Sequence, residues 1–358
     1  MTLPRLHTFI PSSSSLNRWL IVIAIGLVGS VFQEQVAAAQ VSKDATLAQS
    51  GYGEHQIAAY DDVVRRFETA NEPELRETVA EALYNKGGAL LRLGRSEEAI
   101  ATFDDLVRRF GTATEAELRE MVAMALGRKD DILDDLGRYE EAIAICDEAV
   151  RRFGTAKETE LQLRVAMALY NKGETLGQQL GRREQAVAAY DEVLARFGTA
   201  KEAELRAMVA RATYSKGVTL GQLGQKKKAV AVYDEVLRQP GTPSEPYLFA
   251  LALVNKGAAL SDLGRYKEAI TICDDVVGRY GTANETVLRK QVAMALANKA
   301  DALSRLGQSK EAIAVYDDVI GRFEMAQEEE LREAVAQARH DRSVSLGQRP
   351  RDTGRHRQ

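Results

Sequence analysis

A single sentence of sequence is written six times along this chain, and that repetition limits what it can fold into. Each copy reads roughly A-L-x-N-K-G-x-x-L-x-x-L-G-R-x-E-E-A-I-A-x-Y-D-E-V-x-R-F-G-T-A-x-E-x-E-L-R. Its turn glycine falls at Gly94, Gly137, Gly181, Gly224, Gly264 and Gly307, with spacings by subtraction of 43, 44, 43, 40 and 43 residues. A fixed period in this range marks a stacked array rather than a globule around one central core. Each unit buries its apolar face only against its neighbours. A coiled coil is excluded, because the period is not seven and the glycines interrupt it. The expected fold class is all-α, a solenoid of about six helix pairs.

Every copy carries the marks of two helices. Thr69 with Glu72, Thr112 with Glu115, Thr155 with Glu158, Thr199 with Glu202, Thr242 with Glu245 and Thr282 with Glu285 have capping-box spacing, which predicts threonine N-caps. The Thr242 copy adds Pro243 at the first helical position. In the second copy the first helix is expected from about Thr112 to Leu136 and the second over Tyr139 to Phe153. Gly111, Gly154, Gly198, Gly241 and Gly281 stand where glycine ends a helix at C′. Ala99, Ala142, Ala186, Ala229, Ala269 and Ala312 mark the closest helix approach, where a larger side chain would push the pair apart.

The two cysteines, Cys146 and Cys273, occupy the repeat position that Tyr60, Phe103, Tyr190, Tyr233 and Tyr316 fill elsewhere. They read as small core residues. Three repeats separate them, far beyond the ~7 Å limit for a disulfide. Paired acids such as Asp61-Asp62, Asp274-Asp275 and Asp317-Asp318 resemble catalytic carboxylates singly. Their recurrence makes them a solvated helix face. Asp105 before Arg108 and Arg109, and Glu148 before Arg151 and Arg152, have the spacing of helix-stabilising pairs.

Composition narrows the function. The formal net charge is −4 and aromatics are 6%, with the single Trp19 ahead of the repeats, so neither a basic field nor a stacking platform argues for nucleic acid. The four histidines, His7, His55, His340 and His356, lie outside the regular repeats or at their edges and pair with no ligand set. The glycines follow the turn period and form no phosphate loop. Neither an enzyme nor a cofactor or metal site is expected.

The first forty residues differ. Arg5, His7 and Arg18 precede an uncharged run from Trp19 to Phe32, and Ala37-Ala38-Ala39 follows. This is the order of a signal peptide. The run is short for a bilayer that needs ~20 residues. Residues 1–39 are therefore read as a cleaved signal peptide, as an uncleaved anchor attached through residues 16–36, or as neither. Residues 40–54 read as a flexible linker, 55–348 as the array and 349–358 as a basic disordered tail. The expected location is exported, periplasmic or secreted, or else held at the membrane.

The run Leu83-Tyr84-Asn85-Lys86-Gly87, followed by Leu93-Gly94, Glu98-Ala99-Ile100 and Phe103, resembles the tetratricopeptide repeat (TPR), over about residues 55 to 345. Two departures are consistent. The family's proline after the second helix is replaced by Phe-Gly or a variant, and about nine extra residues, T-A-x-E-x-E-L-R, lengthen each unit. The resemblance implies a right-handed superhelix of antiparallel helix pairs. It also implies a concave groove, lined by the first helices, for a peptide or partner protein.

On that resemblance the candidate groove residues are Tyr84, Asn85, Tyr170, Asn171, Asn255 and Asn298, the asparagines either meeting a ligand backbone or joining neighbouring helices. Asp131, Asp134 and Asp135 share a face by i, i+3, i+4 spacing. They read as an acidic patch for a basic partner or as a drifted helix end; beside them, Asp130 replaces the glycine of Gly87, Gly173, Gly217 and Gly257. Gly88, Glu174 and Met294 do not supply the family's carboxylate clamp. Lys86, Lys172 and Lys256 are expected to lay their stems on the next helix with the charge in water. The segment Gln239 to Pro246, with three prolines, reads as a hinge or a tolerated deletion. Past Ala338 the last repeat decays into a polar cap. The expected function is a non-enzymatic interaction scaffold of the cell envelope, the alternative a receptor for a small ligand or glycan.

Overall fold

The computed structural model describes residues 53–239 and 246–347. The leader, most of the linker, the Thr242 capping box and the basic tail lie outside them. The described chain is helical throughout: α1 (Gly53–Arg66), α2 (Pro73–Arg92), α3 (Ser96–Phe110), α4 (Ala116–Asp135), α5 (Tyr139–Phe153), α6 (Thr159–Glu174), α7 (Arg183–Phe197), α8 (Ala203–Gln222), α9 (Lys226–Arg238), α10 (Pro246–Asp262), α11 (Tyr266–Tyr280), α12 (Thr286–Arg305), α13 (Ser309–Phe323) and α14 (Glu329–Gly347). Six first-and-second-helix pairs, α2/α3 through α12/α13, are flanked by α1 and α14, and the fold is an α-solenoid. No helix among the described residues is long and apolar enough to cross a membrane.

The chain divides within α4 into two units, residues 1–121 and 122–358. In the first, α2 packs between α1 and α3. In the second, each helix from α5 onward packs on the next, and consecutive first helices also pack together: α6 on α8, α8 on α10, α10 on α12 and α12 on α14.

The turn glycines do what their spacing predicts. All six have positive φ, from 65° to 75°. Gly94 N–H donates to the Leu91 carbonyl at 2.9 Å and Arg95 N–H to the Leu90 carbonyl at 2.9 Å. This is the Schellman arrangement, which needs a residue free to enter the left-handed region. One copy holds an extra residue, between Gly137 and Gly181, and the structure shows where it goes. Thr175–Gln179 forms a π-helical turn that continues α6. Leu180 N–H reaches back to the Thr175 carbonyl at 3.2 Å, and Arg182 N–H to the Leu176 carbonyl at 2.7 Å. A π-bulge absorbs one residue without disturbing the helix on either side.

The six alanines at the helix contact have no exposed surface. Beside them, in three repeats, the small glycine of the first helix lies under the aromatic ring of the second. A Cβ on Gly87 would fall 2.5 Å from the Phe103 ring, on Gly173 2.4 Å from Tyr190 and on Gly217 2.7 Å from Tyr233.

Three expectations are corrected. Threonine is not the N-cap of the first helices. Glu72, Glu158, Glu202 and Glu285 occupy that position in extended backbone. Their carboxylates bond backward: Glu158 accepts the Lys157 N–H at 2.9 Å and Glu202 the Lys201 N–H at 3.0 Å. The threonine instead lies inside a turn closed by Ala113 N–H on the Phe110 carbonyl at 2.9 Å, a bond repeated at Ala156, Ala200 and Ala283. The acid remains useful at a helix start, where the dipole favours it.

Gly111, Gly154, Gly198 and Gly281 are not left-handed. Their φ lies between −59° and −63°. At two of them the lack of a side chain lets an arginine of the next repeat approach: Arg196 donates to the Gly154 carbonyl at 3.1 Å and Arg322 to the Gly281 carbonyl at 3.0 Å.

The lysines beside the asparagines are ion-paired rather than left in water. Lys172 meets Asp147 at 2.5 Å, Lys216 meets Asp191 at 2.5 Å, Lys299 meets Asp274 at 2.6 Å, and Lys86 and Lys256 pair likewise with Asp61 and Asp234. Each pair ties a first helix to the preceding second helix. The paired acids thus lie on a wet face, as expected, but the first of each pair is a fastener and the second pairs with an arginine one turn on in its own helix, as in Asp275 with Arg279 at 2.7 Å.

Candidate functional site

The candidate residues stand on the first helices, and most join one repeat to the next. Asn255 of α10 donates its side-chain amide N–H to the Tyr214 hydroxyl of α8 at 2.7 Å. Tyr170 of α6 meets Ser215 of α8, the asparagine-equivalent of that repeat, at 3.4 Å. In the next repeat the tyrosine has become Val254, and Asn298 turns to its backbone carbonyl at 3.4 Å. In the second repeat the tyrosine is missing altogether, at Gly127. There Asn171 donates to Asp130 Oδ2 at 2.8 Å instead. Asn171, Asn255 and Asn298 therefore act between helices. Asn85, in the first unit, is exposed. Tyr84, Tyr170 and Tyr214 also stack on their own repeat's second helix, with ring centroids 5.9 Å from Phe103, 6.0 Å from Tyr190 and 6.2 Å from Tyr233.

The acids of the second repeat meet different surroundings. Asp130 is 3% exposed and also accepts from the Cys146 thiol at 3.3 Å. Asp134 accepts the Thr175 hydroxyl at 3.0 Å. Asp131 is half-buried and Asp135 exposed. The acidic run thus mates in part with the polar row of the third repeat, including the first residue of the π-helical turn. Asp130 and Thr175 carry this contact, and neither was a site candidate from sequence. The signal was the paired departure of Asp130 and Cys146 from Gly and aromatic at corresponding positions.

Protons here are held fast. Burial, then the Asp130 charge, pushes the Cys146 thiol well above its ordinary range, and burial pushes Cys273 up to about 12. Both cysteines are free and buried. Burial, then the neighbouring Glu174 charge, raises Tyr190, whose hydroxyl donates to Glu174 Oε1 at 2.5 Å. Burial likewise raises Tyr214. None is poised to ionise near neutral pH. Among the described residues no group of three or more His, Cys, Asp or Glu is arranged to hold a metal ion.

A different row on the first helices remains available. Four residues before each asparagine position stand Met124, Met167, Arg211, Leu251 and Met294 of the second unit. Met124, Met167 and Leu251 are half-buried, Arg211 is exposed and Met294 is 49% exposed. One turn before Met167, Arg164 has its Nε buried without a hydrogen-bond partner. An orphaned donor of this kind costs about 1–3 kcal/mol. Of this row the sequence had singled out only Met294, as a position that fails to supply a clamp. The rest becomes visible only when the repeats are aligned through their helices.

Family models described as tetratricopeptide repeat match residues 57–114, 178–246 and 214–284, and, for a second model, 131–153 and 294–324, together more than half of the chain. No protein of curated function matches the sequence. Among solved structures, the apo form of RapI is similar with a TM-score of 0.57 and 11% identity, over 87% of this chain and 86% of that one. A Signal Transduction ATPase with Numerous Domains that carries a tetratricopeptide repeat sensor, from Pyrococcus horikoshii, gives 0.53 and 11%, over 84% of this chain and 47% of its own. At such identity the likeness is one of fold.

Proposed function

The chain belongs to the tetratricopeptide repeat family, and on that premise we propose that it is a non-enzymatic scaffold whose first helices present a face to a peptide or partner protein. The observation that carries this reading is the row Met167, Leu251 and Met294. In a repeat array the first helices bury most of their apolar residues against neighbours. Here large apolar side chains recur at one partly open position, and Met294 is about half exposed. Methionine is a flexible, polarisable contact that adapts to a partner's shape. Tyr170 lies three residues beyond Met167 in α6 and Tyr214 three beyond Arg211 in α8, and their edges would border a bound chain.

The same reading places the protein outside the cytoplasm, exported or held at the membrane by its leader, on the strength of the basic, apolar and small-residue order of residues 1–39. A photo-crosslinking amino acid at Met294, compared with one at the exposed Ala188 of α7, tests the face in envelope extract of the native host. Adducts of defined mass from position 294 and none from 188 are expected. Equal labelling at both, or none at either, overturns the assignment.

A further inference from the structure

The charges of the first helices narrow the occupant. In this chain a first-helix cation is ordinarily paired. Lys172, Lys216, Lys256 and Lys299 meet aspartates, and Arg289 meets Glu328 at 2.6 Å. Arg76 pairs with Glu115 in the same way, thirty-nine residues on. The corresponding partner of Arg206 would be Glu245, outside the described residues. Arg164 and Arg211 are different: neither forms an ion pair with any described residue, and the Arg164 Nε is buried without an acceptor. They stand on adjacent, packed helices, α6 and α8.

Their height can be compared through the Tyr170–Ser215 contact, which sets those two residues level. Arg164 lies six residues before Tyr170 and Arg211 four before Ser215. At 1.5 Å per residue the two differ in height by only about 3 Å. Met167 is one turn from Arg164 on the same face and occupies the same repeat position as Arg211. The row across the second unit therefore reads apolar, cationic, apolar, apolar, at Met167, Arg211, Leu251 and Met294, with Arg164 reinforcing the cation.

Resting on the peptide-face reading above, we infer that the partner segment is an extended peptide carrying one carboxylate among apolar side chains, the carboxylate seated on Arg211 and Arg164. Adjacent helix axes lie about 8–10 Å apart. A chain in the extended polyproline II form advances about 3.1 Å per residue with three residues per turn, so three residues span one repeat and every third side chain meets the same face. The matching pattern is apolar, two spacers, acidic, two spacers, apolar, two spacers, apolar. A guanidinium is suited to such a carboxylate because it donates in a planar fork. The orphaned Nε of Arg164 gains its acceptor in the same step.

The test uses the full chain and three labelled decapeptides, acetylated and amidated, read by fluorescence anisotropy at low and physiological salt. The first is Leu-Ser-Ser-Glu-Ser-Ser-Leu-Ser-Ser-Leu; the others carry Gln or Lys in place of Glu. The Glu peptide is expected to bind at least fivefold more tightly than the Gln peptide, with the Lys peptide weakest. Arg211→Glu should invert the order. Arg164→Met, which keeps an apolar stem, should narrow the gap between Glu and Gln. Circular dichroism of each variant should match the parent. Equal binding of the Glu and Gln peptides to the parent overturns the carboxylate seat and leaves the peptide face standing. Binding of none of the three overturns both.

Discussion

At the scale of single residues, the informative positions are those where one repeat departs from its siblings. Gly87, Gly173 and Gly217 leave room for the ring of Phe103, Tyr190 or Tyr233 on the paired second helix. The second repeat exchanges both partners at once, with Asp130 in the glycine position and Cys146 in the aromatic one. The smaller thiol leaves room for the carboxylate, which then accepts from Cys146 and Asn171. Cys146→Tyr alone should overpack against Asp130 and cost about 1–3 kcal/mol. Asp130→Gly alone should strip Asn171 of its acceptor, again at about 1–3 kcal/mol. The double variant restores the glycine-and-ring arrangement of the first, third and fourth repeats and should recover much of both losses, a coupling of roughly 1 kcal/mol or more. Urea unfolding of the four proteins measures it. Simple addition of the two single effects would mean that the positions do not compensate.

Among the elements, α6 is the irregular one, and its irregularity is a matter of counting. The interval from Gly137 to Gly181 is one residue longer than its neighbours, and the extra residue forms the turn Thr175–Gln179. Removing exposed Gln178 should convert that turn to ordinary α-helix and keep Gly181 at the end of the helix, with the melting temperature changed by a few degrees at most. Removing Gln222 from α8, which has no residue to spare, should pull Gly224 out of its turn and lower the melting temperature far more. Similar losses from both deletions would show that the π-helical turn is not where the surplus residue is absorbed. The count was visible in the sequence; the bulge was not, because a surplus residue can equally enter a loop. For the same reason the turn glycines and contact alanines were legible from spacing alone, while the threonine caps were misplaced. Thr155 and Glu158 have capping-box spacing, but the Phe153–Ala156 turn takes up the threonine before the helix starts. The asparagines were ambiguous for a related reason: an amide that bonds the next helix and one that bonds a ligand sit at the same place in the repeat. Arg164 was invisible as a site because only packing shows which cations have found a partner.

For the molecule as a whole, the repeat makes stability a property of neighbours. Each ion pair of the lysine–aspartate ladder is partly exposed and contributes only about 0–1 kcal/mol. The larger share comes from apolar contact between adjacent helices, so that a defect is felt mainly by the repeats that touch it. Within the second unit this can be tested at two sites of equal chemistry. Leu205 in α8 and Leu331 in α14 are both essentially without exposed surface. Either one changed to Ala should cost about 2–5 kcal/mol locally. Leu331 belongs to a cluster with Tyr316 and Phe323 at the end of the array, and α14 packs only on α12 and α13 among the described helices of its unit. Hydrogen exchange followed by mass spectrometry should therefore show Leu331→Ala accelerating exchange in α14 and its immediate neighbours while α8 keeps the parent rate. Leu205→Ala, in the interior, should instead deprotect the helices on both sides, from α6 to α10, and leave α14 slower than they are. Were Leu331→Ala to speed α8 as much as α14, the unit would open as one cooperative block, and the nearest-neighbour account of its stability would fail.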